Sequence, residues 1–133
     1  MSGVAAVWFL LKSDATLTGY VPAARIKSGE LPLNTTLPAI SVESSDAISR
    51  KTVAMNSATE QWTETVDVTV YSATYPSLKT ILGVVQAALP LSRGAVNGID
   101  VDSILSGTTG PDQYDSETSI HSQTQKVTVV YNI

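Results

Sequence analysis

The stretch Gln61-Trp62-Thr63-Glu64-Thr65-Val66-Asp67-Val68-Thr69-Val70-Tyr71-Ser72 is followed almost at once by an apolar run over residues 76–89, and the two have different periods. In the first, Trp62, Val66, Val68 and Val70 share one face, while Thr63, Thr65, Asp67 and Thr69 share the other. A period of two with one apolar face predicts a strand of an antiparallel sheet, one side in a core and the other wetted or covered by a partner. In the second, Leu78, Ile81, Leu82, Val85 and Leu89 fall on one helical stripe, with Pro76 at the first helical position and Pro90 as the stop. Gly83 inside that helix costs roughly 1 kcal/mol against Ala, and its presence there implies close packing.

Working towards the N-terminus, residues 48–72 read as a long hairpin. Its first strand is 50–56, its connection is 57–60, and the polar residues 56–59 form an exposed tip. Residues 38–43 alternate, with Ile40 and Val42 on one face and Ser41 and Glu43 on the other, before 44–46 break the pattern. Residues 23–27 are a short strand ahead of a turn-rich stretch with Gly29, Pro32 and Asn34. The chain opens as a helix capped by Ser2, with Val4, Val7, Trp8 and Leu11 at helical spacing and an end near residue 13. Trp8 and Phe9 are read as parts of a core-facing helix.

Towards the C-terminus, Asn97-Gly98 marks a turn, 99–105 a strand, 106–115 a loop, and 118–133 a final strand or pair of strands with Val127, Val129, Tyr131 and Ile133 on its apolar face. The order is α-β-β-β-β-α-β-β. It predicts one α+β domain over residues 1–133: an antiparallel or mixed sheet, two helices on one face and a long β-hairpin.

Composition narrows the function. The chain has 133 residues, 43% of them hydrophobic, with no cysteine, which excludes disulfide scaffolds, thiolate metal sites and cysteine nucleophiles. Charged residues are 15%, against roughly 25% in ordinary soluble domains, and 16 Ser and 16 Thr supply the polar surface instead. Such a surface suits packing against copies or partners. The net charge is −4 and only Arg50-Lys51 are adjacent cations, so the basic patch that nucleic-acid binding requires is missing. The apolar run 3–11 is too short to span a bilayer and has no basic flank, so neither a membrane span nor a signal peptide is expected. The sequon Asn34-Thr35-Thr36 is accordingly not expected to be used.

Catalytic groupings are sparse. The single histidine, His121, has no Gly-x-Ser-x-Gly elbow to serve, and neither a phosphate-binding loop nor a Gly-x-Gly-x-x-Gly occurs. Asp100 and Asp102 share a strand face, and Asp112, Asp115 and Glu117 follow Gly110-Pro111, but without the register of a calcium loop. No cofactor and no metal is expected.

Several ordered pieces together resemble the tail-completion, or tail-terminator, family of long-tailed bacteriophages and phage-derived particles. They are the N-terminal amphipathic helix, Ala24-Arg25-Ile26 before a proline-bearing loop, and Leu37-Pro38-Ala39-Ile40 leading a strand. The strand Val66-Asp67-Val68-Thr69-Val70-Tyr71 running into the helix 75–89, the Gly110-Pro111-Asp112 loop, and Val127-Thr128-Val129-Val130-Tyr131 complete the set. The resemblance implies a structural virion protein, not an enzyme. Such a protein forms a ring, usually of six subunits, on the head-proximal end of the tail tube. There it stops tube growth and offers a docking surface to head-completion proteins.

The implied partners are copies of the chain, the major tail tube protein and the connector. DNA would be only passing cargo, repelled by an acidic lumen, and no membrane is involved. The candidate interface residues are Arg50, Lys51, Met55, Asn56, Thr59 and Glu60 on the hairpin, with Asp112, Asp115 and Glu117 as acidic partners on the next copy. The alternatives are a head–tail adaptor or minor tail subunit, a small ligand- or metal-binding domain using the two acidic groups, and a hydrolase built on His121.

Overall fold

The strand quoted above is the middle of the molecule. A computed structural model describes residues 2–29, 36–51, 60–89, 94–96 and 98–132. In it β3 (Glu60–Ser72) pairs on one side with β2 (Ala39–Lys51) and on the other with β7 (Ile120–Asn132), both antiparallel. Val66, Val68 and Val70 are fully buried, facing the helices with Val127 and Val129, whereas Thr63, Thr65, Asp67 and Thr69 are half-buried. On that second face Thr69 and Thr124 share a hydrogen bond of 2.9 Å, and Lys126 pairs with Asp67 at 3.1 Å.

Seven strands form one mixed, curled sheet in the order β1-β2-β3-β7-β5-β4, with β6 also paired to β7. The edge strand β1 (Ile26–Ser28) runs parallel to β2, and β4 (Gly94–Val96) antiparallel to β5 (Ile99–Thr109). β5 and β6 (Gln113–Asp115) lie in line along β7, so 99–132 form a second long hairpin with its turn at 116–119. The fold class expected from the sequence therefore holds. Among the described residues no helix is long and apolar enough to cross a membrane.

The helices cover one face. α1 (Ser2–Ser13) buries Ala6, Val7 and Leu11 in the core, and α3 (Tyr75–Ala88) buries Leu78, Ile81, Leu82 and Val85 against β3 and β7. Between them the short α2 (Ala15–Tyr20), capped by the Asp14 carboxylate on the Thr16 amide, adds Leu17 to the core. Trp8 packs against that core, and its indole N–H donates to the Ile26 carbonyl at 2.8 Å, tying α1 to β1.

Several local expectations are corrected. Residues 44–46 do not end a strand: β2 continues through a bulge between Ser44 and Asp46, so Arg50 and Lys51 are its last residues rather than the start of a new strand. The tip over 52–59 lies outside the described residues. Residues 23–25 form a 3₁₀ turn, and the strand there is only Ile26–Ser28. The expected loop over 106–115 is strand as far as Thr109 and again at Gln113–Asp115. Gly83 is exposed, and a Cβ there would meet nothing within 4 Å, so close packing does not explain it.

Candidate functional site

The two long hairpins point in opposite directions, and this decides where the interface candidates lie. Arg50 and Lys51 pair with Gln61 and Glu60 at one end of the sheet, and the chain then leaves the described residues, taking Met55, Asn56 and Thr59 with it. Asp112, Asp115 and Glu117 lie at the other end, around β6 and its turn. From Gln61↔Asn132 to Ser72↔His121 the β3–β7 ladder takes eleven register steps, roughly 35 Å of strand. Within one chain the basic and acidic members of the candidate set are therefore held apart.

The hairpin end also carries Asp100 and Asp102. Gln61 donates to Asp102 Oδ2 at 2.7 Å, and Asn132 donates to Asp102 Oδ1 at 3.0 Å and to Asp100 Oδ2 at 3.4 Å. Amide donors thus already hold these carboxylates, and the loop acids stand at the far end, so the two acidic groups do not converge on one site. Among the described residues no group of three or more His, Cys, Asp or Glu side chains is placed to hold a metal ion.

The acidic end is fixed by a network that the sequence did not disclose. Gln123 and Gln125 face inward from β7 and are buried, yet both have partners. Gln125 donates to the Gly107 and Lys126 carbonyls, both at 3.0 Å, and accepts from Thr109 at 2.6 Å and Gln86 at 2.9 Å. Gln123 donates to the Gly110 carbonyl at 2.7 Å and accepts from Lys79 at 2.6 Å. Lys79 also donates to Asp112 at 2.6 Å, and the Tyr75 phenol donates to the same carboxylate at 2.9 Å. These bonds hold the Asp112 carboxyl below its ordinary range, Lys79 contributing most and Tyr75 next, and the Asp112 bond raises the Lys79 ammonium above its own. His121 lies between the rings of Tyr75 and Tyr114.

A third polar feature is buried beneath α1. Glu64 lies on the apolar face of β3, fully buried, its Oε1 accepting from the Tyr131 hydroxyl at 3.0 Å. Its Oε2 has no partner, nor has the Trp62 indole N–H nearby on the same strand. A Cβ at Gly3, in the first turn of α1, would lie 2.8 Å from the Glu64 carboxyl carbon. Burial, followed by the Glu64 bond, raises the Tyr131 phenol to about 12. The clefts are shallow by comparison. One of about 570 Å³ lies between α1 and the edge of β2, lined by Val4, Ala5, Trp8 and Val42 among others, and no catalytic grouping converges on it.

A family model described as "Tail completion protein gp17" matches residues 5–132. Among solved structures, a chain of "Virion of native gene transfer agent (GTA) particle" is 14% identical, with a TM-score of 0.76 over 98% of this chain and 94% of that one. A second solved chain is 13% identical, with a TM-score of 0.52 over 99% of this chain and 94% of its own. At such identities the structural likeness is one of fold. A search of curated proteins finds no match to the chain.

Proposed function

The chain belongs to the Tail completion protein gp17 family, and from that premise we propose that it works as a tail terminator. It is a structural component of a phage-type virion and not an enzyme. In the proposed role, copies close into a ring, of six in the simplest case, on the head-proximal end of the tail tube. The ring ends tube growth and presents a docking surface to head-completion proteins, while DNA passes through without being gripped.

The observation that carries this reading is the extent of the family match, which takes in most of α1, the other helices and every strand of the sheet. The physical chemistry supports it. The chain is weakly charged, Ile48 and Leu105 stand 62% and 61% exposed, and Arg50, Lys51 and Glu60 lie at the sheet end opposite the acidic turn. A ring needs two different patches on each subunit, because head-to-tail contacts close only when unlike surfaces meet. In the proposed ring the two unlike ends of this sheet are the candidates for such a pair.

The test is tube length. Tail tube protein is allowed to polymerise with and without this chain, and lengths are measured by electron microscopy. The proposal expects tubes that stop elongating once the chain is added. Tubes that grow on unchanged would reject termination and favour a head-side adaptor.

A further inference from the structure

Besides its two ends the sheet has two edges, and each is covered for only part of its length. On one edge, β1 reaches no further along β2 than Val42, so among the described residues 43–51 have no strand partner on the side away from β3. On the other edge, β4 reaches no further along β5 than Val101, and 102–109 have no strand partner on the side away from β7. Residues 43–46 and 105–109 are exposed whichever face their side chains take, as bare edges are. Backbone N–H and C=O groups left open in this way are a template for a further strand.

The two bare stretches fit each other. Each step from β2 through β3 and β7 to β5 is antiparallel, so β2 and β5 run in opposite directions. A second copy set edge to edge, its β2 beside β5 of the first, therefore continues the antiparallel order. Heights along the strands can be compared on β3. Ile48 pairs with Thr63, whereas Leu105 and Thr65 both pair with Thr128 and so stand level. On that scale 43–51 runs from Asp67 to Glu60, and 103–109 from Thr63 to Val68. Sliding the second copy by two residues brings the stretches into near coincidence, with β4 of one copy bounding one end and β1 of the other copy bounding the opposite end. An even shift keeps every side chain on its own face. This one opposes 47–50 to 103–106 and sets the bulge between Ser44 and Asp46 beside that between Ser106 and Thr109. It also places Ile48 directly across from Leu105. At 62% and 61% exposed, these are the only exposed large aliphatic side chains among the described residues, and both share the face of Thr63 and Thr128, away from the helices.

We propose that the bare edge of β2 pairs antiparallel with the bare edge of β5 from a second copy of this chain, Ile48 opposite Leu105, so that the sheets of successive copies join into one. The inference rests on the ring reading above and names the contact that closes the ring. The two edges differ, so the contact is heterologous, and its repetition builds a ring and not a dimer. It uses backbone groups and apolar side chains and needs neither charged end of the sheet.

The chain has no cysteine, so Ile48→Cys and Leu105→Cys report on the contact directly. Within one chain three strand spacings, about 14 Å, separate the two positions, beyond the reach of a disulfide. Full-length protein is assembled alone and on purified tail tubes, oxidised and run on non-reducing gels, with circular dichroism to check that each variant folds. The proposal expects each single variant to stay monomeric on the gel and a mixture of the two to give dimers and nothing larger. Ile48→Cys/Leu105→Cys gives a ladder that ends at the closed ring. Native mass spectrometry over a concentration series is the second readout. Ile48→Lys raises the half-assembly concentration by about ten-fold or more, and Ile48→Lys/Leu105→Glu returns it to near the wild-type value.

Rings that yield no disulfide ladder, or that tolerate Ile48→Lys unchanged, overturn the edge contact while leaving the ring reading standing. Disulfide dimers in either single variant mean that like edges meet, and overturn it as well. A wild-type chain that forms no rings, alone or on tube ends, overturns the ring reading itself, and the edge contact with it.

Discussion

Replacing Gly3 by alanine is the sharpest probe of the buried carboxylate. In an ordinary helix interior the change would stabilise the fold by about 0.8–1 kcal/mol, because alanine has less backbone freedom to lose. Here the added Cβ would lie 2.8 Å from the Glu64 carboxyl carbon and 2.9 Å from Oε1, the oxygen that accepts from Tyr131. Glu64 is fully buried, so its carboxylate has no open space to retreat into. Overpacking of this kind costs about 1–3 kcal/mol. The clash offsets or outweighs the helix preference, and a net loss of up to about 2 kcal/mol follows, or up to about 7 °C in Tm at this chain length.

Urea unfolding followed by tryptophan fluorescence is the assay, since Trp8 and Trp62 both border this region. A double-mutant cycle gives the mechanism. With Glu64→Ala the carboxylate is gone, and Gly3→Ala then has only its helix preference left, becoming neutral or stabilising by up to about 1 kcal/mol. If Gly3→Ala stabilises the chain that still carries Glu64, the close approach of α1 to the carboxylate is wrong and so is the placement of Glu64 beneath it.

Other outcomes follow from the same structure. Gly83→Ala, on the exposed side of α3 with nothing near its Cβ, raises stability by about 0.5–1 kcal/mol in the same urea assay. Gln125→Leu leaves the Gly107 carbonyl without its side-chain donor and lowers stability by about 1–3 kcal/mol, with faster amide exchange confined mainly to 106–112.

Spectrophotometric titration finds one tyrosine, Tyr131, ionising near pH 12, and Glu64→Gln moves that step down. Because the folded value lies above the unfolded one, the Tyr131 contribution to stability is complete below pH 10 and is lost as the pH rises towards 12. Asp112 carries the opposite sign: its carboxyl is held below the unfolded value of 3.8, so its contribution is present above that pH and disappears as the pH falls further. Asp112→Asn removes that acid-side slope from the melting temperatures.

What was legible in the sequence was whatever obeys a period. The alternation of Val66, Val68 and Val70 and the stripe from Leu78 to Leu89 identified the central strand and the main helix, and so the α+β class. Elements built from Ser, Gly and Thr did not declare themselves. Ser106, Gly107 and Thr108 read as loop because their strand character comes from a neighbour, β7, and from Gln125 reaching across to the Gly107 carbonyl. The bulge at Ser44 and Asp46 read as an end because one extra residue shifts the alternation to the other face.

Glu64 breaks the apolar register of β3, and nothing local in sequence says that a helix start and a tyrosine 67 residues away will receive it. The same holds for Tyr75, Tyr114 and His121, which only the topology brings together. The acidic and basic interface candidates are visible in the sequence as charges but not as opposite ends of one sheet, since that separation is a property of the β3–β7 register.

The central claim, that this family member caps tail tubes, is tested most directly by imaging. Gold-labelled protein is mixed with tail tubes from the same source and examined by electron microscopy. The account predicts label at one end of each tube, the end that would face the head, on tubes that no longer elongate. Label spread along the tube wall, or tubes bare at both ends, would contradict it.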